Sequence, residues 1–158
     1  MAFVALLFCL VLTGTASAQF EPGAQEGGAK RSDNVVHVSA IATRPDASGR
    51  RTATFRLAIE PGWHLYANPV AKEDFPGIPT TVTLEGRPQP ADVKVHYPPG
   101  KLVKDPVAGD HFIYEGAVTI EAQFRRPAGA GSLEATIKLQ ACNEHKCLLP
   151  ATVKVPVR

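Results

Sequence analysis

Beyond its first dozen residues the chain has no long apolar run, so nothing after that point predicts a membrane span, which needs about 20 residues. It has no basic stripe. Its 17 Lys and Arg are interspersed with 15 Asp and Glu, for a net charge of +2, and nucleic-acid binding is left without support. No segment carries a helical period and no internal repeat recurs. No Ser/His/Asp set, phosphate-cradling glycine loop or paired-carboxylate site stands out, and no cofactor is called for. Cysteine is scarce as well, with only Cys9, Cys142 and Cys147.

The compartment decides what those cysteines can mean. The chain opens MAFVALLFCLVLTGTASAQ, an apolar run followed by Ala16-Ser17-Ala18, an A-x-A cleavage site. This predicts a secretory signal peptide over 1–18, although no Lys or Arg precedes the run; an uncleaved anchor is the lesser alternative. Cys9 would leave with the leader. The remaining even pair then implies a disulfide-permissive place, periplasmic or secreted. Residues 19–33, QFEPGAQEGGAKRSD, are Gly-rich and aperiodic and read as a flexible linker. Residues 34–158 are of a length for one domain with a single core, with no integral membrane span after cleavage.

That domain reads as β throughout. Runs rich in β-branched residues occupy 35–42, 52–60, 80–86, 92–97, 117–124, 132–141 and 151–157. In 52–60, Ala53, Phe55, Leu57 and Ile59 share one face, and Thr52, Thr54, Arg56 and Glu60 the other. Turn residues separate the runs, as in RPDASGR, EPGW and RRPAGAGS. The expectation is an all-β, immunoglobulin-like two-sheet sandwich of about seven or more strands.

The stretch KLQACNEHKCLLPATVKV holds the only chemistry that stands out. Upstream, Leu133, Ala135, Ile137, Leu139 and Ala141 form an inward row, with Glu134, Thr136, Lys138 and Gln140 facing out. Unbroken alternation puts Cys142 on the outer face. Downstream, the inward row Leu149, Ala151, Val153, Val155 and Val157 puts Cys147 on the opposite side. Bonded cysteines need Cα atoms within about 7 Å, so the alternation should break between 142 and 150, with Pro150 a suitable place. A bond closing so short a loop is worth about 2 kcal/mol at most, which makes it a weak staple. Three readings stay open on spacing alone: a structural disulfide, a redox pair, and a copper or zinc clip using Cys142, His145 and Cys147. The spacing fits no usual zinc knuckle, and a fourth ligand is lacking. Lys146 and His145 beside Cys147 would favour its thiolate, with Glu144 opposing.

The same stretch resembles the C-terminal hairpin of the N-terminal periplasmic domain of the thiol:disulfide interchange protein DsbD. PGWHLYANP (61–69) and KDPVAGDHFIYEG (104–116) resemble other parts of that family, and the likeness runs over about 35–158. It implies an immunoglobulin-like fold and a relay of reducing equivalents through Cys142 and Cys147 to thioredoxin-like periplasmic proteins. Cys147 would form the mixed disulfide and Cys142 would resolve it. It further implies that Trp63, His64 and Tyr66 line one side of the cysteines, with Asp105 nearby. Val107 falls where the family places an aromatic ring over the disulfide, so shielding should be poorer. As a stand-alone domain it would need a separate membrane electron donor. The blander expectation is that Trp63 and Tyr66 are core aromatics, that His64 is an exposed strand-end residue and that Asp105 and Asp110 cap turns. His37, His96 and His111 are assigned nothing, and the non-redox alternative is a binding module stiffened by an inert bond.

Overall fold

The computed structural model describes residues 30–71, 75–127 and 129–158. The expected signal peptide, Cys9 and most of the expected linker lie outside them. A 3-10 turn at Ser32–Asn34 leads into eleven strands. These are β1 (Val36–Ala42), β2 (Arg50–Ile59), β3 (His64–Tyr66), β4 (Thr81–Gly86), β5 (Ala91–His96), β6 (Lys101–Val103), β7 (His111–Tyr114), β8 (Ala117–Arg125), β9 (Leu133–Leu139), β10 (Ala141–Cys142) and β11 (Ala151–Pro156). All their pairings are antiparallel, in three sheets ordered β1-β2-β8-β5, β11-β9-β4 and β10-β3-β7-β6. The fold is thus all-β and consistent with an immunoglobulin-like sandwich.

One apolar cluster joins the sheets. Strand β2 supplies Ala53, Phe55, Leu57 and Ile59, as its alternation predicts, and β8 supplies Val118, Ile120, Ala122 and Phe124. From the other wall come Leu133, Ala135, Ile137 and Leu139 of β9, Val82 and Leu84 of β4, and Leu65 and Tyr114 of the small third sheet. Thr136 departs from its expected outward exposure and is 7% exposed. It lies on a central strand between Thr83 of β4 and Lys154 of β11, which cover it from both sides.

The seven predicted runs account for the two larger sheets and reach only the first residue of β10, Ala141. Strands β3, β6 and β7, absent from that series, complete the third sheet. They are three or four residues long, too short to display a period of two. The division of the second wall into two sheets has a local cause at Gln140, which leaves the β9 ladder so that Ala141 and Cys142 can pair with β3 instead.

The chain ahead of β1 is also part of the fold. Lys30 to Asp33, expected in the linker, run beside the cysteine hairpin, with Arg31 bridged in parallel to Leu149. Ser32 is fully buried. Its hydroxyl accepts from the Ala141 N–H at 2.8 Å and donates to the Leu149 carbonyl at 2.8 Å. The two legs of the hairpin are thereby held together at their base.

Candidate functional site

Cys142 and Cys147 are bonded, with Cα atoms 3.9 Å apart. They face each other across the hairpin. On the tip side the Asn143 N–H donates to the Lys146 carbonyl, and on the base side the Leu148 N–H donates to the Ala141 carbonyl. The cysteines therefore occupy the non-hydrogen-bonded position between these pairs, where opposing side chains approach most closely. The tip is turned by Asn143, whose Oδ1 accepts from the N–H groups of His145 and Lys146, both at 2.9 Å.

This pairing settles the parity conflict in the sequence. Directly opposed residues project to the same side of a ribbon. Ala141 pairs with core Leu65 and Cys142 pairs with His64, so Cys142 lies on the outer face of the third sheet, as alternation predicts. Cys147 lies there with it, not inward. The downstream row is what changes: Leu148 is buried and Leu149 is 50% exposed, the reverse of the expected pattern. The alternation resets at Leu149–Pro150, after which Ala151 is again buried.

The two sulfurs have unequal surroundings. Cys142 is 2% exposed, whereas Cys147 is exposed. Cys142 is nevertheless not a member of the central apolar cluster. The outer face it occupies has its own cover. His111 and Ile113 of β7, on the same face as Tyr66, are 6% and 4% exposed. Phe75 lies against the His111 ring with centroids 4.7 Å apart, and Tyr66 meets both edge-on at 5.3 Å and 5.7 Å. His64 meets Tyr66 edge-on at 6.0 Å. Gly77 is required where the 75–79 segment crosses this plate, because a Cβ there would come within 2.5 Å of the Phe75 ring and 2.7 Å of the Tyr66 ring.

The residues anticipated around the cysteines separate accordingly. His64 and Tyr66 lie on the Cys142 face, both half-buried, so His64 is not merely an exposed strand end and Tyr66 is not a core aromatic. Trp63 packs against the core cluster instead, which is its blander reading. Burial lowers the His64 pKa from its ordinary 6.5, with Glu115 opposing and His111 and Lys101 adding to the effect. Burial and the nearby Asp105 carboxylate raise the Tyr66 hydroxyl above its ordinary value.

Asp105 caps the turn of the 104–110 loop, as expected, its Oδ1 accepting from the N–H groups of Val107 at 2.8 Å and Ala108 at 3.0 Å. Those donors, Ala108 first, and His111 hold its carboxyl below the ordinary 3.8. Asp110 is exposed. Val107 is 94% exposed, so its side chain rests on nothing and shields neither sulfur.

His111, Phe75 and Ser32 were not legible as parts of this region. A signal existed for His111: HFIY is a short β-prone run between Gly109-Asp110 and Gly116, although its inward face is set only by pairing with β3. Nothing in the sequence marks Ser32 as a buried bridge or brings Phe75 onto His111. Among the described residues, no three His, Cys, Asp or Glu side chains group as a metal site, and no helix is long and apolar enough to cross a membrane.

With this geometry in place, the comparisons with known proteins fall into one group. Residues 32–158 match the family model of the thiol:disulfide interchange protein DsbD, N-terminal. The N-terminal periplasmic domain of ScsB from Proteus mirabilis superposes with a TM-score of 0.53 at 18% identity, over 76% of this chain and 44% of that one. At that identity the likeness is one of fold, and the chain spans less than half of that protein. The reduced DsbD N-terminal domain of Neisseria meningitidis gives a TM-score of 0.49 at 12% identity, over 78% of this chain and 85% of that one. The same species' complex between the DsbD and PilB N-terminal domains gives 0.49 at 12%, over 74% and 80%. No curated protein matches the chain. Because the family match takes in all eleven strands and both bonded cysteines, the chain belongs to the DsbD N-terminal domain family.

Proposed function

We propose that this domain is a thiol–disulfide relay of the periplasm, passing reducing equivalents from a membrane electron donor to thioredoxin-like partners through Cys142 and Cys147. The observation that carries this reading is the asymmetry of the bonded pair, in which one sulfur is exposed and the other is covered. A relay needs an accessible sulfur for a partner and a second sulfur held in reach of the first. A bond that served only to fasten the fold would gain more by tying distant strands than by closing a short hairpin.

The steps follow ordinary exchange chemistry. In the reduced domain the Cys147 thiolate attacks a disulfide sulfur of the partner, forming a Cys147–partner disulfide and releasing the partner's other sulfur as a thiolate. The Cys142 thiolate then attacks the Cys147 sulfur, closing the internal disulfide and releasing the partner as a dithiol. Two electrons leave the domain and two enter the partner. The exposure of Cys147 fits the first role and the cover over Cys142 fits the second.

The test is a trap. Cys142→Ser should accumulate a mixed disulfide with a thioredoxin-like protein, seen on a non-reducing gel of periplasmic extract and identified by mass spectrometry. Cys147→Ser should trap none. A trapped partner only in Cys147→Ser reverses the two roles, and none in either variant removes the relay.

A further inference from the structure

Cys142 poses a chemical problem that the relay leaves unsolved. Its sulfur must become a thiolate to resolve a mixed disulfide, yet the residue is 2% exposed. Burial disfavours a charged sulfur and slows proton loss to water. A base on the covered side would take that proton without bringing water to the sulfur.

The register supplies one candidate. Cys142 turns its backbone N–H and carbonyl away from Cys147, toward β3, and its partner there is His64. In such an antiparallel pair the Cβ atoms lie about 4.5–5.5 Å apart on the same face, which an imidazole spans. We propose that His64 is the acid–base partner of the Cys142 sulfur, taking its proton as the mixed disulfide is resolved. This rests on the relay reading for its purpose, though the His64–Cys142 pairing is independent of any partner protein.

The step balances as follows. His64, neutral, accepts the proton of the Cys142 thiol. The resulting thiolate attacks the Cys147 sulfur, the Cys142–Cys147 bond forms and the Cys147–partner bond breaks. The departing partner thiolate takes a proton from the His64 imidazolium or from water. In the reverse direction the imidazolium protonates the Cys142 thiolate as the internal bond opens.

The surroundings suit this work. Burial holds His64 below its ordinary 6.5, so it is neutral near pH 7 and free to accept. Among the described residues, the ionisable groups acting on it from neighbouring elements are Glu115 beyond β7, His111 of β7 and Lys101 of β6. Lys101 and Glu115 are paired with each other at 2.8 Å, and their influences on His64 are opposed, that of Glu115 being the larger. His111 has its Nδ1 held by the Gly109 carbonyl at 2.9 Å and sits under Phe75. Asp105 acts on Tyr66, and His111 acts on Asp105. His64 is the one of these groups placed opposite the cysteine.

Two measurements on the full chain test the assignment. The first uses Cys9→Ser/Cys147→Ser, which leaves Cys142 as the sole thiol, and follows thiolate absorbance against pH. With His64 present the thiol and imidazole titrate as a coupled pair. Adding His64→Gln or His64→Phe should leave a single step displaced upward by about one unit, a roughly tenfold loss of thiolate near pH 7. The second forms the Cys147–glutathione disulfide from oxidised glutathione and times its release by Cys142. In the parent the rate should rise with pH and level off once His64 is neutral. In both variants it should keep climbing toward the thiol's own ionisation and be slower near pH 7 by about tenfold or more. Titrations and release profiles that match the parent in variants with native near-UV circular dichroism would overturn the proposal. Glutathione replaces the protein partner here, so a failed partner trap sinks the relay reading without deciding the His64 assignment.

Discussion

Strands β2 and β8 pair over nine residues, Arg50 to Ala58 against Arg125 to Ala117, while β3 and β10 pair over two. The long ladder alternates apolar and polar residues and buries Phe55, Leu57 and Ile120 completely. The short one places Leu65 and Ala141 in that same core but turns His64 and Cys142 to a second, smaller covered face. Burial in the first region removes large apolar surface from water, the main stabilising term of the fold. In the second region burial acts on groups that ionise, moving the His64 and Tyr66 pKa values in opposite directions. One pairing geometry thus buries apolar surface where the strands are long and brings a cysteine and an ionisable side chain together where they are short.

That contrast can be broken most forcefully in the long ladder. Phe55→Ala removes a fully buried ring and should cost about 3–5 kcal/mol by urea unfolding. A loss under 1 kcal/mol would mean that the large sheet is not where stability resides. At the hairpin base, Ser32→Ala deletes the hydroxyl shared by Ala141 and Leu149 and strands a buried N–H. It should cost about 1–3 kcal/mol, with amide exchange quickening first at Ala141. Uniform quickening across β2 and β8 would show that the two regions do not open separately. Reducing the Cys142–Cys147 bond should cost about 2 kcal/mol or less and leave the near-UV circular dichroism native. Collapse of that signal would make the hairpin bond part of the structural frame.

Smaller effects belong to the 104–110 loop. The Asp105 carboxyl is depressed by the Ala108 and Val107 N–H groups that donate to it. A carboxyl held low stabilises its turn above the ordinary value and loses that contribution as pH falls. Protection of the Val107 and Ala108 amides should therefore fade as pH drops through and below the ordinary 3.8, while the β2–β8 amides stay protected; simultaneous loss would tie the loop to the core. Smallest of all, Val107→Gly should leave the alkylation rate of the reduced cysteines within about twofold, since burial-free positions rarely matter. A marked acceleration would mean that the exposed Val107 side chain covers the site in solution.

The legibility of the two regions follows from strand length. A run such as TATFRLAIE displays its period four times over and so declares both its strand and its buried face. HLY and AC show too few residues for any period, so β3 and β10 were not readable as paired strands, although the first residue of the second ended a longer predicted run. The cysteine pair was plain as a motif, and the resemblance carried by its flanking residues pointed to the family. Its neighbours were only partly readable: His64 and Tyr66 stood in a recognisable segment, whereas Phe75, His111 and Ser32 arrive from elsewhere in the chain.

By itself, then, the sequence determined an all-β domain, the inward rows of β2 and most of β9, and a cysteine pair at a hairpin. These are local or periodic properties, written in neighbouring residues and enforced by the removal of apolar side chains from water. Only the tertiary structure decided that Cys142 is covered and Cys147 exposed, that both lie on the outer face, and that His64 stands opposite Cys142. Those facts depend on cross-strand register between segments nearly eighty residues apart. Register is fixed by how the sheets fit together around the core, and a shift of one residue would send every side chain of β3 to the other face.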